Sequence, residues 1–320
     1  MQDKLIARAK ELLSEGKVKK VVGWKKGLFE DDITPAVFTT AEELDKDFVF
    51  NKYCKANLSK YLVGITKNIE IAKSTTRMNN TMAKQRDPNA ADAPIPQEVV
   101  LVFLKPADTY SFTQLLKETR ITREDVYAIG VPCQDTLDGG DVCDNCAGKK
   151  PVSCDEYIGV DPNTDVAPNT ARMEAVAKLE AMSVEERYNF WRNEFSRCIR
   201  CNACRNVCPA CTCEKCVFDN NALYTTQKVA ETNFEESLFH IIRAWHVAGR
   251  CTDCGECSRV CPQNIPLYLL NRKYIKDINE IYGDYQAGAD MESKPAMLRF
   301  QEDDPETTIV YDRSKDGGNE

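Results

Sequence analysis

Residues 198–209 read CIRCNACRNVCP, and residues 251–262 read CTDCGECSRVCP. Both follow the bacterial C-x2-C-x2-C-x3-C-P pattern. In that pattern three closely spaced thiolates reach three irons of one [4Fe-4S] cubane, and the fourth cysteine reaches the other cubane. The proline after each run stops the loop and presets φ for the following turn. Two complete runs therefore predict a dicluster ferredoxin module.

The pattern predicts crossed ligation, with each cluster drawing cysteines from both runs. The first cluster is predicted to be held by Cys198, Cys201, Cys204 and Cys261, and the second by Cys251, Cys254, Cys257 and Cys208. Structural zinc is one alternative, but zinc closes with four ligands and has no use for a C-x2-C-x2-C triplet. Disulfides are the other, and they need an oxidising compartment, for which the sequence gives no signal.

Eight of the sixteen cysteines lie outside the two runs. One of them, Cys133, follows a predicted buried strand, and ligands converge on loops at strand ends. A C-x2-C pair comes ten residues later. We expect a third [4Fe-4S] cluster held by Cys133, Cys143, Cys146 and either Cys154 or Cys54. A four-cysteine zinc site would suit the same residues.

The three cysteines that remain form a tight C-x-C-x2-C group just after the first run. They are Cys211, Cys213 and Cys216. Either they bind a further centre together with the cysteine left over from the third cluster, or they line the ferredoxin core, where buried structural cysteine is common. The sequence leaves both alternatives open.

Composition limits the classes of function. The formal charge of −8 argues against a nucleic-acid partner. The chain has no apolar stretch approaching 18 residues, so no membrane span is expected. Its first residues form a charged amphipathic helix and lack the apolar run of a secretory signal. We therefore expect a cytoplasmic protein in a reducing, anaerobic cell, where thiolates stay free for iron.

The pattern of apolar residues predicts an α/β domain with a small mixed or parallel sheet in residues 1–160. Val99 to Leu104 and Val126 to Val131 read as buried strands joined by a helix, which is a parallel β-α-β unit. Residues 74–97 are polar, lack periodicity and are predicted to form a long loop.

The second half is predicted to be a mainly helical dicluster ferredoxin domain, residues 171–285. Residues 161–170 form a linker, and residues 286–320 form a polar tail that is either a docking arm or disordered. Ser183 and Glu186 predict a capping box. A helix from Glu235 to Val247 is expected to face the core with Leu238, Ile241, Ile242 and Trp245. His240 and His246, on that same helical segment, are expected to be packing or surface residues.

Several segments together resemble one known group. They are Tyr53-Cys54, Asn57-Leu58-x-x-Tyr61-Leu62, Gly130-Val131-Pro132-Cys133, the Cys143/Cys146 pair and the ferredoxin module. The chain resembles the β subunits of deazaflavin-coenzyme-reducing hydrogenases and formate dehydrogenases. Its run from Cys198 to Asn220 is also similar to anaerobic sulfite reductase A subunits and to heterodisulfide-reductase-associated proteins. The match around Cys54 favours that residue over Cys154 as fourth ligand of the third cluster.

The resemblance implies an electron-transfer subunit of a multisubunit anaerobic oxidoreductase. Its partners would be a flavoprotein, hydrogenase, formate dehydrogenase or heterodisulfide-reductase-like subunit. The alternative is a flavin-containing dehydrogenase subunit, in which FAD on residues 1–160 exchanges hydride with a deazaflavin or nicotinamide. Where relatives often read Lys-x-Cys-Asp/Glu, this chain reads Lys105-Pro106-Ala107-Asp108, so the role of that cysteine is absent here. A third hypothesis is a redox sensor or scaffold with structural clusters.

Overall fold

A five-stranded mixed sheet organises the N-terminal part of the chain in the computed structural model, which describes residues 1–133, 150–164, 170–219 and 233–295. The strands are β1 (Lys20–Lys26), β2 (Ile33–Phe38), β3 (Val100–Leu104), β4 (Val126–Gly130) and β5 (Glu156–Tyr157), in the order β2-β1-β3-β4-β5. The β1–β2 pair is antiparallel, and the β1–β3, β3–β4 and β4–β5 pairs are parallel.

The parallel β-α-β unit forms the centre of this sheet, as predicted. All five residues of β3 are buried, which is typical of a strand covered on both faces. Helix α4 (Pro106–Lys117) connects β3 to β4 and starts with Pro106, whose fixed φ suits the first helical position. The fold class predicted for this half is therefore confirmed.

Three further helices surround the sheet. They are α1 (Gln2–Ser14), α2 (Ala41–Asp47) and α3 (Ser59–Arg86). Helix α1 buries Leu5, Ala9 and Leu12 on one face and ends before Gly16, which has a φ of 69°. A left-handed residue after a helix is a common helix stop, and glycine adopts it without steric cost.

Helix α3 corrects the prediction of a long loop over residues 74–97. The helix continues to Arg86 and stops at Asp87, the residue before Pro88, where the helical conformation is disfavoured. Its buried residues, Ser59, Leu62, Thr66 and Ile69, lie in the first half. The second half packs on no core, so its sequence needs no apolar periodicity, and the prediction missed the helix for that reason.

The second half of the described chain is helical, as predicted. Its helices are α5 (Glu174–Glu180), α6 (Val184–Ser196), α7 (Ala203–Asn206), α8 (Asn233–Trp245), α9 (Glu256–Arg259) and α10 (Leu267–Tyr282). Short 3₁₀ turns cover Thr170–Met173 and Val217–Asp219. Ser183 and Glu186 form the predicted capping box at the start of α6. In the part of the chain that the structure describes, no helix combines the length and apolarity needed to cross a bilayer.

Helix α4 joins the sheet to the cysteine-rich segments. The hydroxyls of Ser111 and Thr252 lie 2.9 Å apart. The Arg250 Nε donates to the Glu118 carboxylate at 2.8 Å. Asn57 Nδ2 donates to the Ser111 hydroxyl at 3.0 Å, which ties the start of α3 to the same contact. One face of the α/β part is therefore packed against the second cysteine run.

The first residues of the predicted polar tail pack against α4. Ala287 is buried, and the Lys117 ammonium donates to the backbone carbonyl of Ser293. Gly288 has a φ of 73°, and a Cβ built on it would lie 1.9 Å from the Tyr110 carbonyl oxygen. Only glycine fits this close approach. Residues 296–320 lie outside the described part of the chain.

Candidate metal centres

The two cysteine runs fold into loops with the same backbone conformation. The second residue after the first cysteine has a left-handed φ in both loops, 53° at Arg200 and 57° at Asp253. The fourth residue is left-handed as well, at Asn202 and at Gly255. Glycine, Asn and Asp adopt this conformation more readily than other residues. The repeated pattern tightens each loop around its own cysteines.

A one-turn helix follows each loop and carries its third cysteine. Cys204 lies on α7 and Cys257 on α9, and both side chains are buried. N–H groups donate hydrogen bonds to one sulfur in each run. Arg200 N donates to Cys198 Sγ at 3.4 Å, and Asn271 Nδ2 donates to Cys257 Sγ at 3.5 Å. Hydrogen bonds to the sulfurs that hold a cluster help to set its reduction potential.

The first of two narrow cavities between the loops is lined by cysteines of both runs. Its cysteines are Cys198, Cys201, Cys204 and Cys261, the four residues predicted for the first cluster. Apolar side chains close it, with Ile265 and Leu267 both buried beside the sulfurs. The structure therefore brings the fourth cysteine of the second run to the three-cysteine loop of the first.

The second narrow cavity also joins cysteines of both runs. It is lined by Cys208, Cys251 and Cys254, together with Ser111 of α4 and Glu118, which follows α4. The lining includes three of the four cysteines predicted for the second cluster; the fourth, Cys257, is buried on α9. Burial, with a contribution from the neighbouring Cys208, raises the pKa of Cys251 to about 12 and that of Cys257 to about 11. Cys208 therefore lies within electrostatic reach of the second run.

Arg243 on α8 lies within electrostatic reach of both cysteine sets. Its side chain is 1 % exposed, and none of its three guanidinium nitrogens has a hydrogen-bond partner among the described residues. Burial disfavours the charge, but Cys257, Cys204, Cys208 and Cys211 together outweigh burial and raise the pKa of Arg243. An unpaired buried cation is costly, so a nearby anion is needed. Thiolate-bound iron–sulfur clusters supply that anion, and the site fits them.

The position of Arg243 corrects the predicted orientation of α8. Leu238, Ile241 and Trp245 were expected to face the core, but they are 42 %, 43 % and 54 % exposed. The buried face carries Phe239, His240, Arg243 and Ala244 instead. Apolar periodicity selected the wrong face because the space near the two cysteine sets favours a cation. No cysteine-spacing pattern could have identified Arg243.

His240 is a packing residue, as expected. Its ring stacks on Phe195 at a centroid distance of 4.4 Å and contacts Phe239 edge-on at 5.0 Å. Burial, with a contribution from the neighbouring Arg243, lowers the pKa of His240 to about 3, so the imidazole is neutral. His246, by contrast, is exposed at the end of α8.

A buried ion pair fixes the second loop. Asp253 accepts from Arg272 Nε at 2.8 Å and from Arg172 Nη1 at 3.1 Å, and the Arg272 and Asp253 side chains are 0 % and 2 % exposed. Removing one partner of such a pair typically costs about 3–5 kcal/mol, because the other charge is left buried. The loop between Cys251 and Cys254 is therefore anchored to α10.

The residues predicted for a third cluster are only partly described. Cys143 and Cys146 lie outside the described residues, and Cys133 is exposed after β4. Cys54 is buried, its Sγ donates to the Val49 carbonyl at 3.5 Å, and burial raises its pKa to about 11. Cys154 Sγ lies beside Gly130 at the end of β4. The two alternatives for the fourth ligand thus occupy different surroundings, and the third cluster remains a prediction.

Lys105 and Asp108, which flank the departure at Ala107, have a clear structural role. Lys105 Nζ donates to the carbonyls of Cys54, Lys55 and Ala56 at 2.8–3.1 Å and pairs with the buried Asp108 carboxylate at 3.2 Å. Burial raises the pKa of Asp108 to about 6. The segment that lacks the family's cysteine therefore holds the Cys54 loop against the end of β3.

Cys211, Cys213 and Cys216 line a third, roomier cavity. It lies between α3, α8 and the loop that follows Cys208, and its volume is about 620 Å³. Cationic side chains share the lining, among them Lys60, Arg205, Arg243 and Arg250. The Cys211 thiol donates to the Cys208 sulfur, which lowers the pKa of Cys208 and raises that of Cys211. This cavity therefore adjoins the second cysteine set.

Comparison with known proteins agrees with this site. The family model for the 4Fe-4S dicluster domain matches residues 194–265, which contain both cysteine runs. The chain is 32 % identical over 128 residues to the F420-dependent formate dehydrogenase subunit beta of Methanocaldococcus jannaschii, covering 39 % of this chain and 32 % of the relative. It is 30 % identical over 145 residues to the F420-dependent formate dehydrogenase 1 subunit beta of Methanococcus maripaludis, covering 41 % of this chain and 36 % of the relative.

The chain thus spans about a third of the length of these curated relatives. Within that span, the predicted resemblance to formate dehydrogenase β subunits is confirmed, and the chain carries a 4Fe-4S dicluster domain.

Proposed function

We propose that this chain is an iron–sulfur electron-transfer subunit of a multisubunit anaerobic oxidoreductase. The observation that carries the proposal is the pair of cavities in which cysteines of both runs meet, with the buried Arg243 guanidinium within electrostatic reach of both cysteine sets. The clusters, when bound, supply one-electron redox chemistry. Cys198, Cys201, Cys204 and Cys261 would hold one, and Cys251, Cys254, Cys257 and Cys208 the other.

The protein residues around these cysteines would hold, insulate and tune the pair. Ile265, Leu267 and Phe195 exclude water from the first set. The ion pair of Asp253 with Arg272 fixes the loop of the second set. Arg243 offsets the negative charge of both sets. These residues would insulate a cluster, hold its loop or balance its charge. None of these roles requires a substrate bond to be made or broken.

The compartment is inferred from the same cysteines, and the partner from the relatives. Thiolates available for iron require a reducing compartment, so we place the protein in an anaerobic cytoplasm. The relatives are named as formate dehydrogenase β subunits, and we infer a redox complex of that type as the partner. Electrons would pass between a catalytic subunit and a second carrier through the dicluster domain.

The isolated full chain tests this proposal. We expect the anaerobically purified protein to be reduced by dithionite, to lack flavin absorbance and to be inactive with NADH and an artificial acceptor, because the two cysteine sets would hold one-electron carriers. Bound flavin together with turnover of NADH by the chain alone would establish the dehydrogenase alternative instead. Co-purification of the native complex would identify the partner subunits.

A further inference from the structure

The cavity lined by Cys211, Cys213 and Cys216 is distinct from the two narrow ferredoxin cavities. Cys213 is exposed, and Cys211 and Cys216 are half-buried. Thr212, between the first two of them, is buried and is not part of the cavity lining, whereas all three cysteines line the same cavity.

The loop that carries these cysteines is held in place at both ends. At its start, the Cys211 carbonyl accepts a hydrogen bond from the Lys60 ammonium of α3. At its end, Asp219 pairs with Arg205 at 2.5 Å, next to the 3₁₀ turn Val217–Asp219. The sulfurs thus have a defined framework on which a ligand could be assembled.

The charge of the cavity favours an anionic ligand. Arg205 and Arg250 have carboxylate partners, Asp219 and Glu118. Lys60 donates to a carbonyl, which is neutral, and Arg243, which also faces the two ferredoxin sets, lines the same cavity. The four cationic side chains of the lining therefore outnumber its one carboxylate, Asp219, beside the three thiols. A thiolate-bound iron–sulfur cluster is an anion that binds through sulfur, and it matches both features.

Zinc is the competing ligand, since three cysteines and a histidine are a common structural set. A single zinc ion requires its ligands to converge on one point at about 2.0–2.3 Å. A cluster differs from a zinc ion in that it contains inorganic sulfide and binds as an anion, which the cationic lining of this cavity favours.

We propose that Cys211, Cys213 and Cys216 hold an additional [4Fe-4S] cluster, with one iron left for a non-cysteine ligand. The exposed His246 lines the same cavity and is positioned to supply it. Because Cys211 contacts Cys208, the added cluster lies next to the second ferredoxin cluster. Because Cys213 is exposed, it also lies near the surface. It would be the terminal carrier through which the dicluster pair exchanges electrons with a partner, a role that rests on the proposed function.

Iron, acid-labile sulfide and zinc per chain test the proposal in the anaerobically purified full-length protein. Cys213→Ala and Cys216→Ala, made separately, should each lower iron and sulfide by about four per chain relative to wild type. Lys215→Ala, an exposed change in the same loop, should leave both counts unchanged. The electron paramagnetic resonance signals of the reduced ferredoxin pair should persist in all three variants.

Unchanged iron in both cysteine variants would overturn the proposal, and so would loss of zinc without loss of sulfide. If one of the two cysteine variants also loses the ferredoxin signals, the iron and sulfide content of the other variant decides whether the additional cluster is present. Failure of the proposed function would look different, because wild type itself would then lack the ferredoxin signals. Cys133→Ala separates this site from the predicted cluster at Cys133, since it should not remove the four irons lost in Cys213→Ala.

Discussion

Cys208→Ala is expected to abolish the cluster held by Cys251, Cys254 and Cys257, and to leave the cluster of its own run in place. The reason is that Cys208 lines the narrow cavity of the second run, within electrostatic reach of its cysteines. The reciprocal variant, Cys261→Ala, should abolish the cluster of the first run, because Cys261 lines that cavity. Each variant should lose about four irons per chain.

Double variants show which cysteines share a cluster. If Cys208 and Cys254 hold the same cubane, combining Cys208→Ala with Cys254→Ala should lose no more iron than either change alone. Combining Cys208→Ala with Cys201→Ala should lose about eight irons, because two cubanes are then affected. The opposite result, with the Cys208/Cys201 pair losing about four irons and the Cys208/Cys254 pair about eight, would establish uncrossed ligation.

Arg243→Met is expected to lower the reduction potentials of both ferredoxin clusters. A cluster gains negative charge on reduction, and the buried guanidinium stabilises that charge. Two unit charges 4 Å apart gain about 4 kcal/mol at an effective dielectric of about 20. Even a third of this, about 1.4 kcal/mol, lowers a one-electron potential by about 59 mV. We therefore expect shifts of about 60 mV or more, measured by potentiometric titration of the paramagnetic signals.

Two further variants make the Arg243 result interpretable. Arg243→Lys keeps the charge and should recover much of the shift. Arg197→Met removes a cation one residue from Cys198, but that side chain is 47 % exposed and paired with Glu194, so water screens it. Its effect should be much smaller. Equal potentials in wild type and Arg243→Met, with both clusters intact, would contradict the assigned role.

The sequence predicted the fold wherever local pattern and packing coincide. The uniformly apolar stretch at β3 could only be a strand buried on both faces, and the capping box at Ser183 marked a helix start. The second half of α3 escaped prediction because it packs on no core. In such a segment, helix propensity acts without the apolar stripe on which the prediction relied.

The candidate site also contains residues that the sequence pattern predicts and residues that it does not. Cysteine spacing reports loop geometry directly, so the sequence could predict that Cys261 lies with the first run and Cys208 with the second. Arg243 could not be predicted, because its importance depends on three-dimensional placement near two cysteine sets. A periodic apolar pattern on α8 suggested that Trp245 faced inward, whereas it is 54 % exposed. Electrostatic compensation of a cofactor leaves no signal in residue spacing.

The central claim is that the chain carries two adjacent [4Fe-4S] clusters that accept electrons. The most direct measurement is low-temperature electron paramagnetic resonance of the anaerobically purified, dithionite-reduced chain. The account predicts signals of two reduced clusters that broaden each other through magnetic interaction, and loss of that broadening in Cys208→Ala. A spectrum without cluster signals, from protein that contains zinc and no acid-labile sulfide, would contradict it.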